Sequence, residues 1–448
     1  MGERADGDAP AAPRRIRDLA AATPAGRDRY VDLLRAVSIL AVVLGHWTVT
    51  AAVTTPQGLG GVNLLDIEPW THPLTWLFQV MPVFFLVGGY ANAASLAGHH
   101  GRGGSAVAWV RGRALRLLRP TAVLLGVLLV VRVVAVALGA NPDEAHLVVW
   151  TATSPLWFVV VYLAVVLLAP AAVAAHRQWG LGVVVALVAI VAVGDVLRLA
   201  TGSAAPATGS YLAGWLAVHQ VGVAWQHGAL PVSRRAGWAM AVAGLGTAVL
   251  LTGPGPYGVA MVGAATPPGL TNTAPPTLAL LALATAQTGV VVLLRRRATA
   301  WLVRPRVWTG VVAVNAVILT IFLWHMTAAV IGGYALVATG VLPEPAVGSG
   351  AWWALRVPWV AALGVVLLGL VVVWRRFEAP LASDRVLTSS TPAVVAGLLM
   401  ILAALASLGV TAARGAAPQV AGLPVVELGL IAAGLVVLVR AGRPGAAG

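Results

Sequence analysis

Long runs of apolar residues recur along almost the whole chain and limit what it can fold into. Several reach about 20 residues without a charge, the length a helix needs to cross a hydrocarbon core about 30 Å thick. Because 59% of the 448 residues are apolar and only 10% are charged, a soluble globule and a soluble enzyme with one anchor are both excluded. The alternating pattern of a membrane β-barrel is not seen. The sequence therefore predicts an all-α fold, a polytopic bundle of transmembrane helices.

The apolar runs predict twelve spans with both termini on the cytoplasmic side. A disordered cytoplasmic tail (1–31) is predicted to precede a membrane core (32–382), and two additional C-terminal transmembrane helices with a short tail follow it (383–448). The Gly/Pro-rich segment 253–273 is predicted to be an external loop. The predicted spans are 33–53, 73–97, 119–139, 155–175, 180–199, 210–226, 236–252, 274–294, 308–335, 352–374, 391–412 and 423–440.

Basic residues test this topology. All 29 are arginines, against 15 acids, and the chain has no cysteine, which excludes disulfides and thiol nucleophiles. Arginine collects in cytoplasmic loops of membrane proteins, and 25 of the 29 fall in or beside the predicted cytoplasmic segments. Three predicted outside loops carry acids instead: Asp66 and Glu68, Asp143 and Glu144, and Glu344. The distribution predicts a multi-pass protein of a bacterial plasma membrane, with membrane lipid rather than nucleic acid as its surroundings.

The first predicted span carries ionisable residues on one helix face. Arg35 and His46 are eleven residues apart, about three helical turns, and Asp32 lies close to the same face. His46 is 14 residues from Asp32, so it lies ~21 Å deeper in the membrane. An imidazole at that depth is costly unless it is paired or faces water. Either a catalytic role or a bond to a neighbouring helix would satisfy it.

His325 is a second histidine inside the membrane. It lies 17 residues into the predicted span 308–335, at a depth comparable to that of His46. Imidazole titrates near neutrality and can take a proton from an alcohol, so two histidines in one cavity would form an acid–base centre. The alternative is that each histidine faces a separate partner. Catalytic candidates are therefore His46, His325, Arg35 and Asp32.

Arg113, Arg116 and Arg119 recur every three residues on a helix that enters the membrane from the cytoplasm. Guanidinium groups in such a stripe can clamp phosphates, although anchoring to anionic lipid would use the same residues. Trp157 and Tyr90 are the candidate substrate-binding residues, and Trp157 could equally anchor at the membrane interface. No metal site and no tightly bound cofactor are predicted.

Taken together, these motifs resemble the membrane acyltransferase-3 family over residues 28 to about 382. The resemblance implies a ten-helix core that moves an acyl group from cytoplasmic acyl-CoA to a hydroxyl of a carbohydrate, glycolipid or natural product. It implies that His46 is the essential histidine, Arg35 its partner, and Arg113 with Arg116 the cytoplasmic arginine motif. The residues that carry it are Asp32, Arg35 and His46; Phe84-Phe85 before Gly88-Gly89-Tyr90; Arg113, Arg116 and Arg119 before Pro120; Pro155 to Phe158; Leu323 to His325; and Phe377 to Pro380.

Two features depart from the family pattern: Gly88 stands where a serine is usual, and residues 391–440 add two crossings. Two other functions therefore stay open. A transporter or lipid flippase without acyl-transfer chemistry would use intramembrane His and Arg as relays. A non-catalytic relative of the acyltransferases would keep the fold without the activity.

Overall fold

The computed structural model describes residues 16–24, 26–56, 58–263, 270–378, 387–414 and 424–444. These residues form a helix bundle, which confirms the all-α prediction. Ten helical segments are long and apolar enough to cross a membrane. The helices are α1 (Ile16–Ala21), α2 (Arg29–Val49), α3 (Leu64–Ile67), α4 (Thr75–Phe78), α5 (Met81–Gly101), α6 (Ala106–Ala137), α7 (Pro142–Thr153), α8 (Leu156–Trp179), α9 (Gly182–Thr201), α10 (Ser210–Gln226), α11 (Arg234–Thr252), α12 (Leu278–Trp301), α13 (Pro305–Ala316), α14 (Ile318–Gly332), α15 (Gly350–Trp374), α16 (Thr391–Arg414) and α17 (Val425–Arg440).

Strand structure in the described residues is confined to two small antiparallel sheets. Strand β1 (Thr50–Thr55) pairs with β2 (Gly58–Asn63), and β3 (Leu387–Ser389) pairs with β4 (Gly442–Pro444). Because β1 follows α2 directly, the first hairpin lies at the end of the bundle where α2 finishes. We call this the opposite end, and the end where α2 begins and α5 finishes the arginine-rich end.

Two of the twelve predicted spans are not among the ten long apolar segments of the described residues. They are α10, with 17 residues, and α17, with 16. Twelve of the 17 residues of α10 are buried, including His219 and Gln220, so its polar side chains lie inside the bundle. Helix α10 is therefore an interior helix of the bundle, which accounts for the polar residues in this predicted span.

Helices α5 and α10 approach each other closely at two glycines. A Cβ added to Gly89 would lie 1.9 Å from the carbonyl oxygen of His219, and one added to Gly222 would lie 1.9 Å from that of Leu86. Neither position has room for a side chain. Small residues at such a crossing let two membrane helices pack backbone to backbone, which explains the second glycine of the Gly88-Gly89 pair.

The N-terminal region differs from the predicted disordered tail. Residues 16–21 form α1, and the indole Nε1 of Trp308 on α13 donates to Ala20 O at 3.2 Å and to Thr23 Oγ1 at 3.0 Å. Helix α2 begins at Arg29 with the Asp28 carboxylate as its cap. Apolar and polar contacts to α13 order this segment. Residues 1–15 lie outside the described residues.

The predicted span 308–335 is not one continuous helix. Helix α13 ends at Ala316, Val317 leaves the helical conformation, and α14 begins at Ile318. Asn315 Nδ2 donates to Asp32 O at 2.9 Å, so the break lies beside the first turn of α2. His325 is thus seven residues into its helix rather than 17, and only Ile318–Ala338 forms the span.

The predicted external loop 253–273 is partly buried. Met261 and Asn272 are almost fully buried, and Tyr257 donates its hydroxyl to Asp195 on α9. Burial raises the pKa of the Tyr257 hydroxyl, and the neighbouring Asp195 raises it further. The segment therefore packs on the bundle at the opposite end, although residues 264–269 lie outside the described residues.

The C-terminal pair packs against the core. Helix α16 contacts α8, and α17 contacts α6. The guanidinium of Arg111 on α6 donates to the carbonyls of Leu438 at 2.7 Å and Val439 at 2.9 Å, which lie in the last turn of α17. An arginine that binds the free carbonyls of a helix C-terminus stabilises that end. The two predicted additional helices are therefore attached to the core through α6 and α8.

Cysteine labelling tests the predicted orientation. Ala140 and Gln178 have exposed side chains at the opposite end and the arginine-rich end, respectively, and the native chain has no cysteine. We expect Ala140→Cys to react with an impermeant maleimide in intact cells and Gln178→Cys to react only after lysis. Labelling of Gln178→Cys in intact cells would show that the orientation is the reverse of the predicted one.

Candidate active site

The two intramembrane histidines contact each other. Nδ1 of His46 on α2 lies 2.8 Å from Nε2 of His325 on α14. Their ring planes are within 8° and their centroids are 5.1 Å apart, about the sum of two ring radii and a 2.8 Å bond. The rings therefore lie edge to edge in nearly one plane, which suits an N–H···N hydrogen bond better than face-to-face stacking does.

The remaining nitrogen of His325 sets the direction of this bond. Its Nδ1 lies 2.6 Å from the carbonyl oxygen of Phe322. A carbonyl oxygen can only accept, so Nδ1 carries the hydrogen, and in a neutral ring Nε2 is then an acceptor. His46 must therefore donate from Nδ1, which leaves its own Nε2 with a free lone pair. The pair thus presents one basic nitrogen, Nε2 of His46.

Two tryptophans tie the histidine helices together. The indole of Trp47 donates to the backbone carbonyl of His325 at 2.8 Å, and the indole of Trp359 on α15 donates to Trp47 O at 3.0 Å. Trp47, His325 and Trp359 are each less than 4% exposed. Helices α2, α14 and α15 are therefore joined by hydrogen bonds at the level of the histidines, where lipid offers none.

Glu378 occupies the helix break at the start of α14. Its carboxylate accepts from Leu319 N and Thr320 N, each at 2.8 Å, and from the Thr320 hydroxyl at 2.6 Å. A carboxylate at a helix N-terminus pairs with free N–H groups and the positive end of the helix dipole. Burial raises the pKa of the Glu378 carboxyl, and these hydrogen bonds and nearby Arg116 oppose the rise. Glu378 therefore holds the helix that carries His325.

The sequence does not indicate this role of Glu378, although the carboxylate also lies near Arg116. The hydrogen bonds to α14 had no signal in the sequence, because neither glycine nor proline marks the break at Val317.

Asp32 and Arg35 pair with each other below the histidines. Asp32 is buried and accepts from Arg35 Nη1 at 3.2 Å and from Arg27 Nε at 2.6 Å. One carboxylate therefore holds two guanidinium groups near the arginine-rich end. Within the described part of the chain Asp32 forms ion pairs with Arg35 and Arg27, and no hydrogen bond or ion pair joins Asp32 or Arg35 to His46.

The predicted arginine stripe divides into an inner and an outer part. Arg113 points into the bundle: its Nη2 donates to Ser95 Oγ at 2.6 Å, and its guanidinium lies 5.4 Å from the Trp109 ring. Arg116 and Arg119 are exposed. Arg113 is close enough to Arg35 and Arg116 to interact electrostatically with both. Residues 35, 113 and 116, from two helices, thus form one basic cluster, which we call the arginine clamp.

Aromatic residues connect the clamp with the histidines. Tyr162 on α8 interacts with Arg113 and stacks on Phe158 at 5.5 Å. Phe158 meets Phe322 edge to face at 5.0 Å, and the Phe322 ring lies 5.8 Å from that of His325. A line of rings, Tyr162, Phe158 and Phe322, therefore leads from the neighbourhood of Arg113 to the histidine pair.

Gly88 lies beside this line of rings. A Cβ added there would be 3.2 Å from Cε2 of Tyr162, closer than ordinary contact. The tyrosine ring would have to move by a few tenths of an ångström to admit a serine. Glycine at position 88, where the resemblance predicts serine, therefore leaves room for the Tyr162 ring.

The two predicted substrate-binding residues lie apart. Trp157 is 41% exposed in the first turn of α8, and its ring is 6.1 Å from that of Trp215. Tyr90 packs against Trp225 at 5.0 Å and interacts with Asp28. Tyr90 therefore lies near the arginine-rich end, while Trp157 is at the opposite end. Among the described residues, no group of three or more histidine and carboxylate side chains could hold a metal ion.

Comparison with known families places this chain. Residues 28–375 match the family profile Acyl_transf_3, described as an acyltransferase domain. The match runs from the N-terminal cap of α2 into the turn after α15 and includes both histidines and the arginine clamp. Comparisons with curated proteins and with solved structures give no match. Because the matched region is well over half of the chain, the protein belongs to the acyltransferase-3 family of membrane proteins.

Proposed function

We propose that this membrane acyltransferase moves an acyl group from acyl-CoA at the cytoplasmic side to a hydroxyl of a carbohydrate, glycolipid or natural product. One observation carries the proposal: the histidine pair leaves a single basic nitrogen, Nε2 of His46, inside the membrane-spanning part of α2. A transporter would not need the second histidine to fix the tautomer of the first.

The chemistry requires one proton to move twice. Nε2 of His46 takes the proton of the acceptor hydroxyl while the oxygen attacks the thioester carbonyl. The tetrahedral intermediate then collapses, the C–S bond breaks, and the same Nε2 returns the proton to the departing sulfur of coenzyme A. During this time His46 is an imidazolium, and its Nδ1–H bond to His325 stabilises that charge. His325 acts through His46, as the orienting residue of a catalytic triad does.

The arginine clamp supplies the donor site in this proposal. Guanidinium groups bind phosphates through charge-assisted hydrogen bonds. With the phosphates at Arg113 and Arg116, and Arg119 at the rim, the pantetheine arm would follow Tyr162, Phe158 and Phe322 to the histidines. Arg35 completes the cluster, and Asp32 orients it. These site roles remain proposals.

Removal of His46 tests base catalysis. We expect His46→Ala to lower acyl transfer by about 10²–10⁴-fold, since the variant loses the proton acceptor. His325→Ala should also lower turnover while leaving coenzyme A affinity unchanged. Transfer is measured by mass spectrometry of glycans, lipids and metabolites from cells that express each variant, as the gain of an acyl mass.

His72→Ala is the matched control, because the imidazole of this histidine at the opposite end has the Leu65 carbonyl as its one hydrogen-bond partner among the described residues. We expect it to keep its activity. Wild-type turnover in folded His46→Ala would eliminate the mechanism, and binding of coenzyme A without any acyl product from the wild type would favour a non-catalytic relative.

Substitution of Arg113 and Arg116 tests the clamp. The double variant Arg113→Gln/Arg116→Gln keeps polar side chains but loses two charges, each contributing ~1.5–3 kcal/mol when well bonded to a phosphate. We expect coenzyme A affinity, titrated on purified protein, to fall about tenfold or more for each arginine replaced, with the larger share from the more buried Arg113. Arg177→Gln, an exposed arginine at the same end, is the control. Equal coenzyme A affinity in the double variant would refute the clamp and favour lipid anchoring.

Glu378→Gln tests whether the capped helix break positions His325. The amide can accept through one oxygen only, and its NH₂ group would face the N–H donors of Leu319 or Thr320. We expect a loss of acyl transfer of about tenfold or more, with coenzyme A affinity not weakened. Glu344→Gln makes the same chemical change at the opposite end, where the carboxylate accepts from Thr54 N and Oγ1. If both variants transfer acyl groups equally well, the positioning role is wrong.

A further inference from the structure

A second basic site lies beside the clamp, between the start of α2 and the end of α12. It is a cleft of about 390 Å³, and the adjoining cleft of about 510 Å³ shares Arg295, Thr299 and Val303 with it. We call the two together the α2–α12 cleft. Volumes of this size match those of small-molecule sites. The first cleft is lined by Arg27, Asp28, Arg29, Tyr30, Arg295, Thr299, Leu302 and Val303.

Arginines outnumber acids in this cleft. Arg27, Arg29 and Arg295 line the first part, Arg296 lines the second, and Asp28 is the one carboxylate among the lining residues. Asp28 is already bound to Arg295 at 2.8 Å. The cleft therefore carries an excess of positive charge, which favours an anionic ligand.

Aromatic rings hold two of these arginines in place. The Arg29 guanidinium lies 4.9 Å from the Trp308 ring, and that of Arg295 lies 5.1 Å from the Trp225 ring. Nη1 of Arg295 is buried and has no hydrogen-bond partner within the part of the chain that the structure describes. A guanidinium that is fixed by a ring and has a free buried N–H is arranged to donate to a ligand.

Asp32 joins this cleft to the clamp. Arg27, which lines the cleft, and Arg35, which belongs to the clamp, bind the two oxygens of the same carboxylate. The two basic sites therefore share one carboxylate. This arrangement suits a ligand with two separate phosphate groups.

We propose that the α2–α12 cleft binds the 3′-phosphate of the donor's ribose, an inference that rests on the proposed function. Coenzyme A has a pyrophosphate next to the pantetheine arm and a separate phosphate on the ribose. The arm must run from the clamp along Tyr162 to the histidines, so the pyrophosphate stays at Arg113 and Arg116. The next phosphate along the molecule then meets the next basic site.

The headgroup of phosphatidylglycerol offers the same phosphate chemistry. It carries a single phosphodiester and makes no use of the connection through Asp32. The comparison ligand is 3′-dephospho-coenzyme A, which lacks only the ribose phosphate. Comparing the affinities of the two ligands isolates the contribution of that group in each variant.

The test uses full-length protein purified in detergent without added lipid, with both affinities measured by calorimetry. We expect the wild type to bind coenzyme A about tenfold more tightly than the dephospho form. In Arg29→Gln/Arg296→Gln this ratio should approach one, while dephospho-coenzyme A affinity stays near that of the wild type. Arg297→Gln, the exposed neighbour that lines neither cleft, should keep the full ratio.

Each other result is decisive. An unchanged ratio in the double variant, or no discrimination by the wild type, overturns the 3′-phosphate site and leaves the proposed function standing. If the double variant keeps the ratio but no longer gains thermal stability when phosphatidylglycerol is added, that result assigns the cleft to lipid and overturns the donor assignment. A wild type that binds neither ligand overturns the proposed function itself. If the double variant does not fold, the single exposed substitution Arg296→Gln should still lower the ratio.

Discussion

The hydrogen bond between His46 and His325 joins two helices where the surrounding hydrocarbon offers no polar partner. The bond has the required direction only because Phe322 O fixes the hydrogen on Nδ1 of His325. It has the required length only if α2 and α14 keep their spacing, which the Trp47 and Trp359 indoles maintain. These polar contacts therefore keep His46 and His325 at the distance and in the orientation that their hydrogen bond requires.

The break at Val317 imposes a second condition. A broken membrane helix exposes N–H groups that must find an acceptor inside the protein. Glu378 supplies it from beyond the end of α15, so the segment after the last helix of the core determines where α14 begins. The position of His325 thus depends on a residue more than fifty positions away in the chain.

Some of this arrangement could be predicted from the sequence and some could not. The bundle followed from runs of about 20 apolar residues, whereas the count that placed His325 at the depth of His46 assumed a continuous helix that the structure breaks at Val317. The contact between the two histidines depends on which helices are neighbours, which the periodicity of a single chain does not encode. Helix α1 and the folded segment around Tyr257 were missed because their order comes from tertiary contacts, with Trp308 and Asp195, rather than from local propensity. Of the residues behind the family resemblance, the structure gathers His46 and His325 into the histidine pair and Arg35, Arg113 and Arg116 into the clamp.

A single accessible nitrogen on the histidine pair has an energetic consequence for a membrane enzyme. In the proposed reaction Nε2 of His46 receives a proton from the acceptor and gives it to sulfur, so the protein ends each cycle in the protonation state in which it began. The acyl group moves from sulfur to the acceptor oxygen, and the proton of that hydroxyl moves to the sulfur, which keeps the electron pair of the broken C–S bond, so the exchange transfers no net charge. Turnover is therefore electroneutral. The voltage across the membrane, worth ~2.3 kcal/mol per elementary charge at 100 mV, neither drives nor opposes this reaction.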